Sequence, residues 1–261
     1  MKSFITALQF LTRINLVSQP DLTIEDFGRS VRCFTLVGLV LGSIQFLIGS
    51  VLYSFLGISY VTAAIFVLLP ILLTGGLHCD GFMDTVDGLF SGRSRERMLE
   101  IMKDSRTGSF GVVAFGCCLL LDFALVLDLG AAPTVLLVAL FVMPIFARFS
   151  MVLAVAAFPY ARPEGMGKAF HEMAGRGTVA FAGAVALVCA APWGPGTLLA
   201  LAVAVLFGLA FDRYAAKKLG GLTGDLYGAT EKLTETAVLF TYWILIHLPQ
   251  AQMLLGGWHI S

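Results

Sequence analysis

The sequence predicts an all-α fold: a polytopic integral membrane helical bundle of about seven transmembrane helices, with short amphipathic helices on the cytoplasmic side. Three observations predict it. Of the 261 residues, 58% are hydrophobic and only 13% charged, whereas soluble domains carry roughly 25% charged residues. Apolar runs close to the roughly 20 residues needed to cross a bilayer recur along the chain. All but one of the Lys and Arg precede the first run or fall in alternate connections between the runs. No internal repeat, low-complexity tract or linker divides the chain, so residues 1–261 read as one integral membrane domain.

The first element is an interfacial amphipathic helix over 1–17. Phe4, Ala7, Leu8 and Leu11 recur at helical spacing, while Thr6, Gln9 and Arg13 occupy another face. No small-x-small cleavage site follows, so the segment does not read as a secretory signal. The apolar runs then fall at 33–56, 60–77, 110–129, 133–157, 178–192, 195–211 and 236–255. Each reads as a helix, because lipid offers backbone groups no partner and no strand-like alternation is present. Gly38 and Gly42, four apart, suit close helix packing.

Sixteen of the seventeen Lys and Arg precede the first span or lie in the connections after the second, fourth and sixth. By the positive-inside rule these segments, and the N-terminus, are cytoplasmic and the C-terminus is external. The net charge of zero gives no basic surface for nucleic acid. Cys33, Cys79, Cys117, Cys118 and Cys189 lack zinc-site spacing and read as apolar side chains.

Chemistry concentrates in 78–108, which reads as a cytoplasmic motif region. "GGLHCDGFMDTVDGLFSG" (75–92) carries Asp80, Asp84 and Asp87. At about 100° per residue, Asp84 and Asp87 lie roughly 40° and 20° to either side of Asp80, so the three share one helix side. Oxygen donors without nearby His or Cys suit a hard cation such as Mg²⁺, completed by substrate phosphates; a solvated helix face is the bland alternative. His78 faces elsewhere. "SGRSRERMLEIMKDSRTGSFG" (91–111) reads as a short helix opened by Ser94 and ended near Gly108. Its arginines beside the carboxylates suit a diphosphate, although basic cytoplasmic loops are normal in any membrane protein. Asp104 is a candidate to complete the metal site. Arg148, deep in the fourth span, is either functional or paired with Asp122 at similar depth. "LGGLTGDLYGATEKLTE" (219–235) reads as a glycine-rich loop whose Asp225 either adds a ligand, takes a hydroxyl proton, or belongs to a merely flexible segment.

The stretch 75–111 resembles the cobalamin synthase (adenosylcobinamide-GDP ribazoletransferase) family nearly position for position, and "ALQFLTRI" (7–14) and 219–235 are similar to it too. Cys79 departs from the aliphatic residue more usual there. The resemblance implies a Mg²⁺-dependent enzyme of the bacterial cytoplasmic (inner) membrane, with a cytoplasmic active site. It implies that a hydroxyl of α-ribazole, or of its phosphate, attacks the cobinamide-linked phosphorus of adenosylcobinamide-GDP and expels GMP. It further implies metal binding by Asp80, Asp84, Asp87 and Asp104, and proton acceptance by Asp84 or Asp225. Substrate contacts are expected from Arg93, Arg97, Lys103, Arg106, Arg148, Lys168 and Thr223. Other late corrinoid-pathway enzymes and a second copy of the chain are the expected protein partners. A CDP-alcohol phosphotransferase is the alternative enzyme class, although its ordered DG…AR…D-x-x-x-D signature is absent. A transporter with Arg148 and Asp122 as midplane sites is a different class again.

Overall fold

The computed structural model describes residues 1–19, 21–104 and 106–255. Thirteen α-helices follow in order: α1 Lys2–Leu11, α2 Ile24–Ser30, α3 Phe34–Leu56, α4 Tyr60–Thr74, α5 Leu77–Leu89, α6 Arg95–Ile101, α7 Ser109–Leu129, α8 Pro133–Ala157, α9 Met166–Met173, α10 Arg176–Ala190, α11 Pro195–Leu219, α12 Gly224–His247 and α13 Pro249–Gln252. The protein is a polytopic helical membrane protein, as its sequence predicts. Among the described residues, five helical segments are long and apolar enough to cross a membrane, or seven if two bent pairs each count once.

The central post is α8, whose most apolar stretch is 83% buried, against 17–39% in the other four unbroken spans. It is Leu-, Val- and Ala-rich on every side, as a helix surrounded by other helices must be. Against it α3 packs closest, and Gly38 and Gly42 explain how. A Cβ at Gly38 would stand 2.5 Å from the Pro144 carbonyl oxygen, and one at Gly42 would strike that of Phe141. The expected small-residue contact is therefore present.

Three boundaries differ from those the sequence suggests. α1 ends at Leu11 rather than 17, because Thr12 turns extended; its apolar face, Ala7, Leu8 and Leu11, is buried with Val31 and Phe34 rather than laid on lipid. α6 stops at Ile101 rather than near Gly108, although Ser94 does cap it, accepting from Arg97 N at 3.4 Å. The largest departure is α12. Its helix begins at Gly224, so Glu231, Lys232 and Glu235 lie inside the bundle, not in a loop.

The second and seventh runs bend. α4 and α5 meet at 91° and α12 and α13 at 106°. At the first bend Gly75 and Gly76 are both left-handed (φ 66 and 76°), a consecutive pair that residues with a Cβ rarely adopt. The turn lays α5, with its acids, across the end of the bundle instead of through it. Cys33 and Cys79 are buried, as apolar cysteines should be, whereas Cys117 is exposed on α7.

Candidate functional site

α5, α7 and α12 and the connections before α9 and α12 converge where α5 crosses the bundle end. α5 packs on the first turns of α12 almost backbone to backbone. A Cβ on Gly81 would come within 2.8 Å of the Asp225 carbonyl oxygen, and one on Gly228 within 3.3 Å of the His78 Cα. This approach brings Asp80 and Asp84, one helical turn apart, beside Asp225. Asp87 sits one turn further and is anchored: its carboxylate accepts from Gly108 N at 2.7 Å and Gly111 N at 2.9 Å. It thereby caps the N-terminus of α7, where a negative charge is favoured.

Asp225 is oriented by a separate device. The connections before α9 and α12 pair as a short parallel bridge between Tyr160 and Leu222, with Ala161 N to Leu222 O and Leu222 N to Pro159 O both at 2.8 Å. Gly221 makes the pairing possible, since a Cβ there would stand 2.5 Å from the Pro159 oxygen. The bridge delivers Arg162 to Asp225, at 2.9 Å. Thr223 caps α12 and also donates to the Asp225 carboxylate at 3.2 Å.

The electrostatic consequence falls on Asp84. Burial, then the charges of Asp80, Asp225 and Asp87, push its carboxyl up to about 7 against the opposing pull of Arg162. The donors are all oxygens, which suits a hard divalent cation. Among the described residues, however, no three His, Cys, Asp or Glu side chains stand close enough to hold one ion. The acids present thus fit a cation that one or two carboxylates share with substrate phosphates, not a closed protein cage.

Two cavities open near Asp225. A charged one of about 820 Å³ takes in Arg95, Lys103, Tyr160, Arg162 and Glu164. A smaller, aromatic one of about 260 Å³ takes in Phe10, Phe34, Phe170, Tyr227, Asp80 and Asp225 itself. Met166, Gly167 and Gly224 border both.

Residues 3–243 match the family model described as cobalamin-5-phosphate synthase. The chain belongs to that family. A protein of Desulfitobacterium hafniense (strain Y51) named adenosylcobinamide-GDP ribazoletransferase is 42% identical over 253 residues, 95% of this chain and 98% of the relative. Relatives with the same name from Desulforamulus reducens (40% identical; 83% of this chain, 86% of the relative) and Roseiflexus sp. (37%; 90% and 87%) are also similar. No solved structure matches.

In this member of the cobalamin-5-phosphate synthase family the remaining expected site residues scatter. Asp104 forms a two-pronged pair with Arg106, at 2.7 and 3.1 Å, which holds its carboxyl down at about 2. Arg97 pairs with Glu100 at 2.8 Å, Arg93 is exposed, and Lys168 donates to the Pro163 oxygen at 2.9 Å. Of the expected bases only Lys103 borders the charged cavity.

The expected pairing of Arg148 with Asp122 is corrected. Arg148 is fully buried and faces Glu231 at 2.7 Å and Glu235 at 3.4 Å. Asp122 instead takes Lys232 and Thr236. His78, which the helical wheel turns away from the acids, completes the cluster with Nδ1 3.3 Å from Glu231. Sequence reasoning also missed Arg162 as an active neighbour, counting it only as loop charge. The usable signal for Glu231 and Glu235 was their i, i+4 spacing in a stretch read as a loop.

Proposed function

We propose that this protein is a Mg²⁺-dependent adenosylcobinamide-GDP ribazoletransferase of the bacterial cytoplasmic membrane, acting on α-ribazole or its phosphate at a cytoplasmic site. The observation that carries the reading is the convergence of Asp80, Asp84 and Asp225 beside Arg162, between a charged and an aromatic cavity. The names of the relatives support the substrates. Fifteen Lys and Arg lie outside the buried Arg148 and Lys232 and at the site end of the bundle, which supports its cytoplasmic side. The family membership favours this reading over a CDP-alcohol phosphotransferase or a transporter.

Asp80 and Asp84 would hold Mg²⁺ together with diphosphate oxygens, and the ion would supply charge neutralisation at the phosphorus under attack. Asp225, oriented by Arg162 and Thr223, takes the proton of the ribazole hydroxyl as its oxygen bonds to the cobinamide-linked phosphorus. The bond from that phosphorus to the GMP oxygen breaks. Arg95, Lys103 and Arg162 in the charged cavity stabilise the departing phosphate. The step needs in-line placement and electrostatics, with no covalent enzyme intermediate.

The test is GMP release by the purified protein from adenosylcobinamide-GDP and α-ribazole, with and without Mg²⁺. Asp84→Asn and Asp225→Asn should each lower kcat at least a hundredfold. Transfer at the wild-type rate in both variants, or in the presence of a chelator, removes the acid cluster from the mechanism.

A further inference from the structure

Two residues that border the aromatic cavity each carry a polar atom that nothing in the protein uses. Tyr227 and His78 border it and are 4% and 5% exposed. Among the described residues neither Tyr227 Oη nor His78 Nε2 has a hydrogen-bond partner. Buried polar groups are nearly always paired, so two unpaired ones on residues that border one small, mainly apolar chamber point to a ligand. Their roles follow from their surroundings. His78 Nδ1 faces the acceptor-only carboxylate of Glu231, so it carries the ring proton and Nε2 presents a lone pair. Tyr227 Oη–H is then the chamber's unpaired donor.

The walls specify a planar apolar group. Phe170 stands between Phe10 and Phe34 with ring centroids 5.4 and 5.3 Å apart, the second pair edge to face. About 260 Å³ is too small for a corrin ring and suits one bicyclic base. Guanine fits this chemistry less well, since Asp80 and Asp225 could meet its N–H donors while its O6 and N7 acceptors would be stripped of water against phenylalanine and leucine. A dimethylated benzimidazole does fit: it is apolar except for one unsubstituted ring nitrogen, an acceptor for the chamber's donor.

We propose that this chamber is the subsite for the base of the incoming ribazole, with Tyr227 Oη donating to the free ring nitrogen and His78 Nε2 accepting from a ribose hydroxyl. The inference rests on the transferase reading above and adds to it which cavity takes which substrate. The base in the aromatic chamber leaves its ribose at Asp80 and Asp225, which border the same chamber. The partner of Asp225, Arg162, opens into the charged cavity, where the diphosphate lies.

The experiment uses the full chain in lipid nanodiscs. α-Ribazole is titrated by calorimetry without corrinoid, and GMP release is measured in parallel with both substrates varied. Tyr227→Phe should weaken ribazole binding about tenfold and raise its KM alike, leaving the KM of adenosylcobinamide-GDP unchanged. Leu77→Trp, at a half-exposed wall position, should abolish ribazole binding by filling the chamber. Guanosine should not compete. No ribazole binding to the wild type, an unchanged Kd in both variants, or an equal rise in both KM values overturns the subsite. Tyrosine-dependent ribazole binding without any GMP release would sink the transferase reading and leave the subsite standing.

Discussion

Replacing Arg148 by Met should unfold the protein far more readily than it disturbs substrate binding. The guanidinium is 0% exposed, meets Glu231 at 2.7 Å and Glu235 at 3.4 Å, and also donates to the Pro144 oxygen at 3.1 Å. The 2.7 Å approach lacks hydrogen-bond alignment, since Glu231 Oε1 has no bonded partner, so charge rather than directionality dominates there. Without the cation, two carboxylates one helical turn apart face each other, with Lys232, 3.6 Å from Glu235, as the nearest remaining lysine partner. Removing one member of a buried pair costs about 3–5 kcal/mol, or two to four orders of magnitude in the folding equilibrium. Denaturant titration in micelles, followed by tryptophan fluorescence, measures the loss. Adding Glu235→Gln to Arg148→Met removes one of the two stranded charges and should restore at least about 1 kcal/mol, a coupling that neither single change shows. A single variant that loses less than about 1 kcal/mol while its substrate KM rises tenfold would refute the reasoning and return Arg148 to the substrate.

Asp87→Ala should lower thermal stability by about 1–2 kcal/mol in metal-free buffer, because the Gly108 and Gly111 amides at the α7 terminus lose their acceptor; equal melting temperatures would show that water replaces the carboxylate. Apparent Mg²⁺ affinity, read by titrating GMP release between pH 5.5 and 8.5, should fall as pH drops through about 7, where Asp84 takes up its proton. The metal-free protein should behave oppositely: a carboxyl whose folded pKa is raised stabilises the fold below its unfolded value and loses that contribution as pH rises through about 7. Mg²⁺ affinity that does not vary with pH would exclude Asp84 as a ligand. Asp104→Asn should leave Mg²⁺ affinity within about twofold, since its carboxylate is committed to Arg106; a tenfold loss would restore it to the metal shell.

The helices, their apolar stripes and the cationic side of the bundle were legible because each depends on neighbours in sequence. So was the convergence of Asp80, Asp84 and Asp87 on one side of α5. The 91° turn was written in Gly75–Gly76, but the preceding apolar run hid it: hydropathy reports that a segment is greasy, not that its axis changes direction. The α12 segment was misread for a related reason. Glu231, Lys232 and Glu235 look like a solvated loop until Arg148 and Asp122, which lie at least 83 residues away, neutralise them and the neutral ring of His78 packs beside Glu231. Spacing cannot show a partner on another helix. Arg162 was invisible as a site residue because only the Tyr160–Leu222 bridge, a long-range pairing, carries it to Asp225.

The buried charges and the acid cluster are mechanically one assembly. Asp80, Asp84, Asp87 and Asp225 repel one another, and α5 is joined to the span before it only through two left-handed glycines. Left to that repulsion, the free end of α5 would swing away from α12. Gly81 and Gly228 permit close approach but add little attraction of their own, having no side chains to bury. The restraint comes from Asp87 on α7 at one end of α5 and from His78 on Glu231 at the other. Glu231 is in turn held by Arg148 of α8, the most buried helix of the bundle. Charges so costly in lipid persist where they are paired and put to use. Here their pairing fixes the register of α5 on α12, and therefore the separation of Asp80 and Asp84 from Asp225.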